Sequence, residues 1–556
     1  MKKLITGLLV VVVPLVMGVL FVERFVSEKL ADQGNWELGN GDFEGAIADY
    51  TKAIKWRSGC AAAYYGRACA RDRTGNLDGA IADYTKYIEL KPNDAIAYFG
   101  RGYVIYEKDD LAGAITDYTK AIELNPNYGD VYDDRGEARE SKGDDAGAIA
   151  DYTKAIELKM SDAIAYSGRG FARSVSRDYD GAISDYTEAI ALKSNDADAY
   201  ENRGYARECK NDYDGAIADY TKAIELNPND ADGYLGRGRA KNSRSDYDGA
   251  ISDCTEAMAL RTNDADACEN RGFARLCKGD YDRAISDYTE VIALKTNDAD
   301  AYKSRGYARE CKGDYDVAIT DYTEAIALET NDADAYENRG FARDSKRDYA
   351  GAIADYTKAI ELNPTNAEAY SYRANAEASK DDLDGAIADC ARAIDLNPNS
   401  FHAYSSRAVA RNDKGDNDGA IADYTRAIEL EPNDSNSYNG RGWSEFMKND
   451  FDKAIRDATQ AIQLDTKSYD AYDTRAWARY GKGDVAKALE DCQQAVKLIG
   501  TNSDEAAWDQ GLMNFINSSY AQAVDSWQKA IQYDPSAQRV LQPWINKARA
   551  KLETAK

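Results

Sequence analysis

The chain reads as an all-α solenoid of helical hairpins, and three observations predict it. Arginine recurs every 34 residues without a break, from Arg67, Arg101, Arg135 and Arg169 to Arg441 and Arg475. Aspartate keeps the same interval from Asp49, Asp83 and Asp117 to Asp457 and Asp491. No linker rich in Pro, Gly and Ser interrupts that register, so the 556 residues form one array of copies and not a set of globular domains. A copy this short cannot bury its own apolar faces, so each must stack on its neighbours.

The first element is N-terminal. Lys2 and Lys3 precede an apolar run from Leu4 to Val22, interrupted only by Thr6, Gly7, Pro14 and Gly18 and closed by Glu23 and Arg24. A run of that length can span a bilayer. A cleavable signal peptide has a shorter core and a small-x-small site, and Val16-Met17-Gly18 is a poor one. No Cys follows the run to carry a lipid. Residues 1–25 are therefore expected to be a signal anchor, a single-pass transmembrane helix over residues 4–22. The lysines ahead of it place the repeats on the non-cytoplasmic side. Secretion or periplasmic release after signal cleavage is the alternative.

Residues 26–535 hold the array, and the unit beginning at Ala197 shows its logic. Tyr200, Arg203, Gly204 and Arg207 fall on one helical stripe, helix A. Tyr213, Ala216, Ile217, Tyr220, Ala223 and Ile224 make a wider apolar stripe, helix B. Asp196 and Asp212 stand where N-caps are needed, and Asn227-Pro228 stops helix B. Gly204 in mid-helix costs about 1 kcal/mol against Ala, which calls for close helix approach. Ala216 and Ala223 offer matching small faces, so A and B are expected to interlock with no large side chain between them. An arginine in the stripe needs a carboxylate, and Arg203 is expected to pair with Asp219 or Asp185, fixing register between repeats.

At these positions the unit resembles the tetratricopeptide repeat. Tyr200, Gly204, Ala216, Tyr220, Ala223 and Pro228 stand where that family has its aromatic, glycine, alanine, aromatic, alanine and proline. The likeness runs from about Ser27 to Pro535 and gives fifteen tandem units. The first carries Leu30 and Gln33 for the tyrosine and arginine, and the last carries Ala507 and Gln510 after a one-residue insertion. Atypical ends suit capping units. Residues 536–556, with Val540, Leu541, Trp544 and Ile545, are expected to form a capping helix and tail, with Pro543 against its first turns. The resemblance implies a right-handed superhelix whose helix A faces line a concave groove.

That groove is where a partner is expected. One column of helix A holds Tyr103, Phe171, Tyr205, Phe273, Tyr307, Phe341, Trp443 and Trp477. Flanking columns hold Glu201, Asn202, Glu269, Asn270, Glu337 and Asn338, with further aspartates such as Asp130, Asp133 and Asp198. Aromatic rings give contact area at little entropy cost, and acidic flanks steer basic or neutral segments inward. The expected function is a non-enzymatic protein-binding scaffold. A structural spacer, or an accessory subunit of a membrane or export complex, is the alternative. The carboxylate clamp that some family members use needs Lys, Arg and Asn in these columns, and they carry mainly acids, Ser and aromatics.

Other classes are disfavoured. A net charge of −27 with no basic stripe repels phosphates, so no nucleic acid is expected. His402 is the single histidine, which leaves one candidate base for a catalytic triad and no domain built around it. Strings such as Asn-Asp-Ala-Asp lack the twelve-residue calcium loop with its closing glutamate, and capping explains them. No phosphate-binding loop is present, and no cofactor or metal is expected. The nine cysteines lack CxxC pairs, and Cys254, Cys268 and Cys390 replace packing tyrosines, so they read as small buried hydrophobes.

Overall fold

The computed structural model describes the backbone of residues 2–159, 162–500 and 506–554, with the side chains of all of these except 2–18 and 536. Among the described residues the regular structure is helical throughout, with 31 α-helices and one short 3-10 turn. The chain divides into two compact units, Met1–Lys278 and Gly279–Lys556. The first opens with the long helix Lys2–Gly39, whose C-terminal part packs on Phe43–Trp56, and runs in successive hairpins to Ala265–Cys277. The second runs from Tyr281–Leu294 to the hairpin of Ala507–Ile516 and Tyr520–Tyr533, and ends in Gln538–Thr554 with Pro543 inside it. The expected membrane segment falls mostly on residues 2–18, whose side chains lie outside the described residues. Among the described residues no helix is long and apolar enough to cross a membrane.

Helix A of the representative hairpin is Ala197–Cys209 and helix B is Tyr213–Leu226. Asp196 accepts from the Ala199 N–H and Asp212 from the Gly215 N–H. Each cap is worth about 1 kcal/mol. Between the helices Asn211 takes the left-handed conformation, with φ of 61°, a position held by glycine in other hairpins, as at Gly313. That geometry lets the chain reverse in a short turn.

The core is a thin seam of alanine and tyrosine. Ala216, Tyr220 and Ala223 of helix B are buried, and Tyr220 and Ala216 pack on Ala240 of the following hairpin. The expectation of an interface without a large side chain is corrected here. A Cβ on Gly204 would come within 3.2 Å of the Tyr220 ring, and one on Gly236 of the next hairpin within 2.5 Å. Glycine clears the space that the tyrosine ring fills, so one Tyr is wedged between two successive A helices. Its hydroxyl donates to Glu208 at 2.9 Å.

The arginine finds its aspartate within its own hairpin. Arg203 donates from Nε and Nη2 to Asp219 at 2.9 and 2.7 Å, a bidentate pair, while Nη1 reaches Thr187 Oγ1 of the preceding hairpin at 3.1 Å. The link backwards is therefore made to a threonine and not to Asp185. Arg207, one stripe position on, donates to the same Asp219 at 2.8 Å. Asp219 is almost wholly buried, and two guanidinium groups hold its charge there. Arg203 also lies over the Tyr200 ring, 5.5 Å from its centroid. The bidentate pair and the threonine contact recur in both units, for example at Arg101 and Arg339.

The end of the second unit is built differently. Trp477, Trp527, Leu512, Phe515, Leu541 and Ile545 form a thick apolar core contributed by the last hairpins and the final helix. Cys254, Cys268 and Cys390 are buried, whereas Cys209, Cys277 and Cys311 are exposed, and all are free thiols.

Candidate functional site

Helix A carries two kinds of surface because its residues advance 100° each. The stripe of Tyr200, Arg203 and Arg207 turns into the hairpin. Asp198, Glu201, Asn202 and Tyr205 lie on a neighbouring face, with Tyr205 and Asp198 exposed and Glu201 and Asn202 half-buried.

In the first unit Tyr103, Phe171, Tyr205 and Phe273 are each between 43% and 47% exposed. In the second, Tyr307 and Phe341 are 46% and 39% exposed. What sets these rings apart from other exposed apolar side chains is that they occupy the same position, on one face of helix A, in several hairpins. In the first unit a concavity of about 500 Å³ is bordered by Tyr65, Tyr84, Phe99, Tyr103, Asp72 and Glu107. Another, of about 350 Å³, is bordered by Asp133, Asp134, Glu137, Asp198 and Asn202. Burial pushes Asp134 up to about 6, with the charges of Glu137 and Asp130 adding to it. The face is acidic where it is concave.

The flanking column has a structural task that the sequence reading missed. Glu201 lies against Asp230, the cap of the next helix A, and burial followed by that neighbouring acid pushes its carboxyl up to about 8. Glu337 accepts from Asn366, the corresponding cap, at 2.5 Å. Lys303, in the same column, donates to Asp332 at 2.6 Å. Residues of this column therefore touch the next hairpin 29 positions on, a contact set by the loop path and invisible to helical periodicity. Glu269, Asn270 and Asn338 are half-buried on the same faces, and the Asn270 side chain donates to the Asp266 carbonyl at 2.8 Å.

The two tryptophans part from the column. Trp443 is half-buried, with its ring 5.9 Å from that of Trp508. Trp477 is completely buried, in ring contact with Trp508, Trp527 and Trp544. Its expected place on an open groove is thus corrected: the closing hairpin and final helix cover it. The signal was in the sequence, since five of the seven tryptophans lie beyond residue 440. His402 is exposed and stacks edge-on against Phe401, centroids 5.2 Å apart.

No curated protein matches the chain. Among solved structures it is similar to MamA, with 28% identity over 31% of this chain and 94% of that one and a TM-score of 0.29. It is similar to YrrB, described as a TPR protein with an unusual peptide-binding site, at 22% identity over 33% and 95% of the two chains and a TM-score of 0.30. It is also similar to yeast Tom70, at 20% identity over 87% and 99% of the chains with a TM-score of 0.33. Family models described as "Tetratricopeptide repeat" match residues 32–95, 68–129, 197–230, 333–366, 355–388 and 407–471, and one described as "TPR repeat" matches 312–343. The matched stretches do not account for all fifteen units expected from the register. Where they match, on helices paired in the manner described above, the chain carries tetratricopeptide repeats.

Proposed function

We propose that the chain is a non-enzymatic protein-interaction scaffold whose helix A faces take basic or neutral segments of partner proteins. The observation that carries this reading is the column of exposed rings at Tyr103, Phe171, Tyr205 and Phe273 in the first unit, set among acidic side chains. Such rings supply apolar contact while the carboxylates exclude acidic competitors. We further propose that the apolar run of residues 4–22 holds the repeats at a membrane, which resistance of the full chain to alkaline extraction would test.

The direct test is an immobilised peptide array probed with the full chain and with a variant in which all four rings are alanine, after circular dichroism shows equal helix content. Lysine- and arginine-containing peptides should be retained by the native chain and lose about tenfold or more in affinity with the variant. Preferential capture of acidic peptides, or equal capture by both proteins, would overturn the reading.

A further inference from the structure

The closing hairpins of the second unit border a half-open cavity of about 280 Å³. That is below the roughly 300–1,000 Å³ of sites for drug-sized ligands and suits a single side chain or a small molecule. Asp470, Asp473, Asp509 and Asp534 border it together with Trp443 and Trp508. Among the described residues that border it there is no lysine or arginine.

Asp473 and Asp509 lie against each other, with Trp477 beside the first and Cys492 beside the second, yet one oxygen of each, Oδ1, has no hydrogen-bond partner, nor has Oδ1 of Asn439. Asp509 is only 2% exposed. An acceptor buried without a donor costs about 1–3 kcal/mol, and two acids placed together add mutual repulsion. Burial and the neighbouring Asp509 push Asp473 well up, and burial pushes Asp509 up. Asp473 stands in the column of Asp133 and Lys303: Asp133, likewise beside an acid, has Lys159 3.5 Å away, and Lys303 is itself a cation paired with the following cap, whereas the described residues that border this cavity include no lysine or arginine. Among the described residues no group of acids is arranged to hold a metal ion. The aromatic walls favour an organic cation instead, because ring faces attract a desolvated ammonium. Three unpartnered oxygens also match the three N–H donors of an ammonium group. The Trp508 indole N–H on the same wall is likewise unpartnered.

We propose that this cavity binds one primary ammonium group, carried either by a lysine side chain of a partner peptide or by a small free amine. Asn439, Asp470, Asp473 and Trp443 continue the helix A columns described above, but the site includes none of the exposed rings on which the groove reading rests and does not depend on that reading.

Calorimetric titration of the full chain at pH 8 tests it, using cadaverine, Nα-acetyl-lysine methylamide and, as the uncharged control, Nα-acetyl-norleucine methylamide. At least one amine should bind saturably with one site per chain, and the norleucine compound should not. Binding of cadaverine alone would identify a free-amine site, and preference for the lysine amide a peptide site. Asp473→Asn and Asp509→Asn should each weaken binding by tenfold or more. Both substitutions keep side-chain shape and remove repulsion, so their melting temperatures should not fall, and a thermal scan checks this. Alanine at Tyr205, Phe273, Tyr307 and Phe341 should leave amine binding unchanged, which separates this site from the groove. Absence of saturable binding, or equal binding by both Asn variants, would overturn the proposal.

Discussion

Two hairpins of the same length handle their buried aspartate in opposite ways. In the hairpin of Ala197–Cys209 and Tyr213–Leu226, Asp219 is held by Arg203 and Arg207, and its side chain is only 4% exposed. In the hairpin of Ala367–Ser379 and Leu383–Leu396, Arg373 pairs with Asp389 as usual, but Glu377 occupies the place of the second arginine and Asp389 is 12% exposed. Glu445 repeats the exchange beside Asp457, which is 15% exposed. One oxygen of each glutamate is buried without a partner. Burial, followed by the charge of the adjacent aspartate, pushes Glu377 and Glu445 both up to about 7. The first arginine is thus the partner both of these hairpins keep, and the second sets how firmly the acid is neutralised.

The largest effect should come from destroying the shared element. Arg203→Leu strips Asp219 of its bidentate partner and should cost about 3 kcal/mol, since a buried charge left short of its partner is strongly destabilising. Hydrogen exchange should lose protection across residues 197–230. Undiminished protection there would mean that the pair is dispensable and the comparison misplaced.

Next in size is the reverse exchange. Glu377→Arg gives Asp389 the second guanidinium that Asp219 has, and should add about 1–2 kcal/mol, read as a raised urea midpoint for the second unit. A neutral or lower midpoint would show that this hairpin has repacked around its glutamate.

Acidity distinguishes the two kinds of hairpin without mutation. Because Glu377 and Glu445 have folded values near 7 against an ordinary 4.5, the folded state binds their protons more tightly. Stability that is fully present below pH 4.5 is therefore lost as pH rises towards 7. Allowing for partial solvation, each site should contribute about 1 kcal/mol. Urea midpoints of the native chain, compared with Glu377→Gln and Glu445→Gln combined, should converge near pH 5 and separate by pH 8. Parallel curves would refute it.

The smallest effect isolates the link between neighbours. Thr187→Val removes the acceptor for Arg203 Nη1 and leaves the Asp219 pair intact. About 0.5–1.5 kcal/mol should be lost, and only from the coupling of adjacent hairpins. A loss confined to one hairpin would point to local packing instead.

Much of this was legible in the residues. The 34-residue interval defines the hairpins, and the aspartate caps appear where the stripes begin, because helical geometry is local and repeats reinforce it. The stripe position of Arg203 calls for a carboxylate, but which one depends on the helix-to-helix offset, a quantity no stripe contains. The threonine contact was missed for the same reason. Gly204 in mid-helix signals that room is needed, and not that the room belongs to the ring of Tyr220. On the candidate face, the aromatic column could be found by counting, whereas Trp477 left it because a non-repeating end packs over it. Periodicity predicts only what periodic neighbours enforce.

The bond from Arg203 to Thr187 has a consequence for how such a chain can change length. Most hairpins offer a threonine to their successor and reach with an arginine for that of their predecessor, although Ala391 leaves Arg407 without one, so the joint is written in the same two residues wherever it recurs. Excising residues 197–230 would bring Arg237 onto Thr187 with the geometry it now has on Thr221. Insertion or loss of one whole repeat is therefore a grammatical edit, while a gain or loss of a single residue breaks every joint it touches.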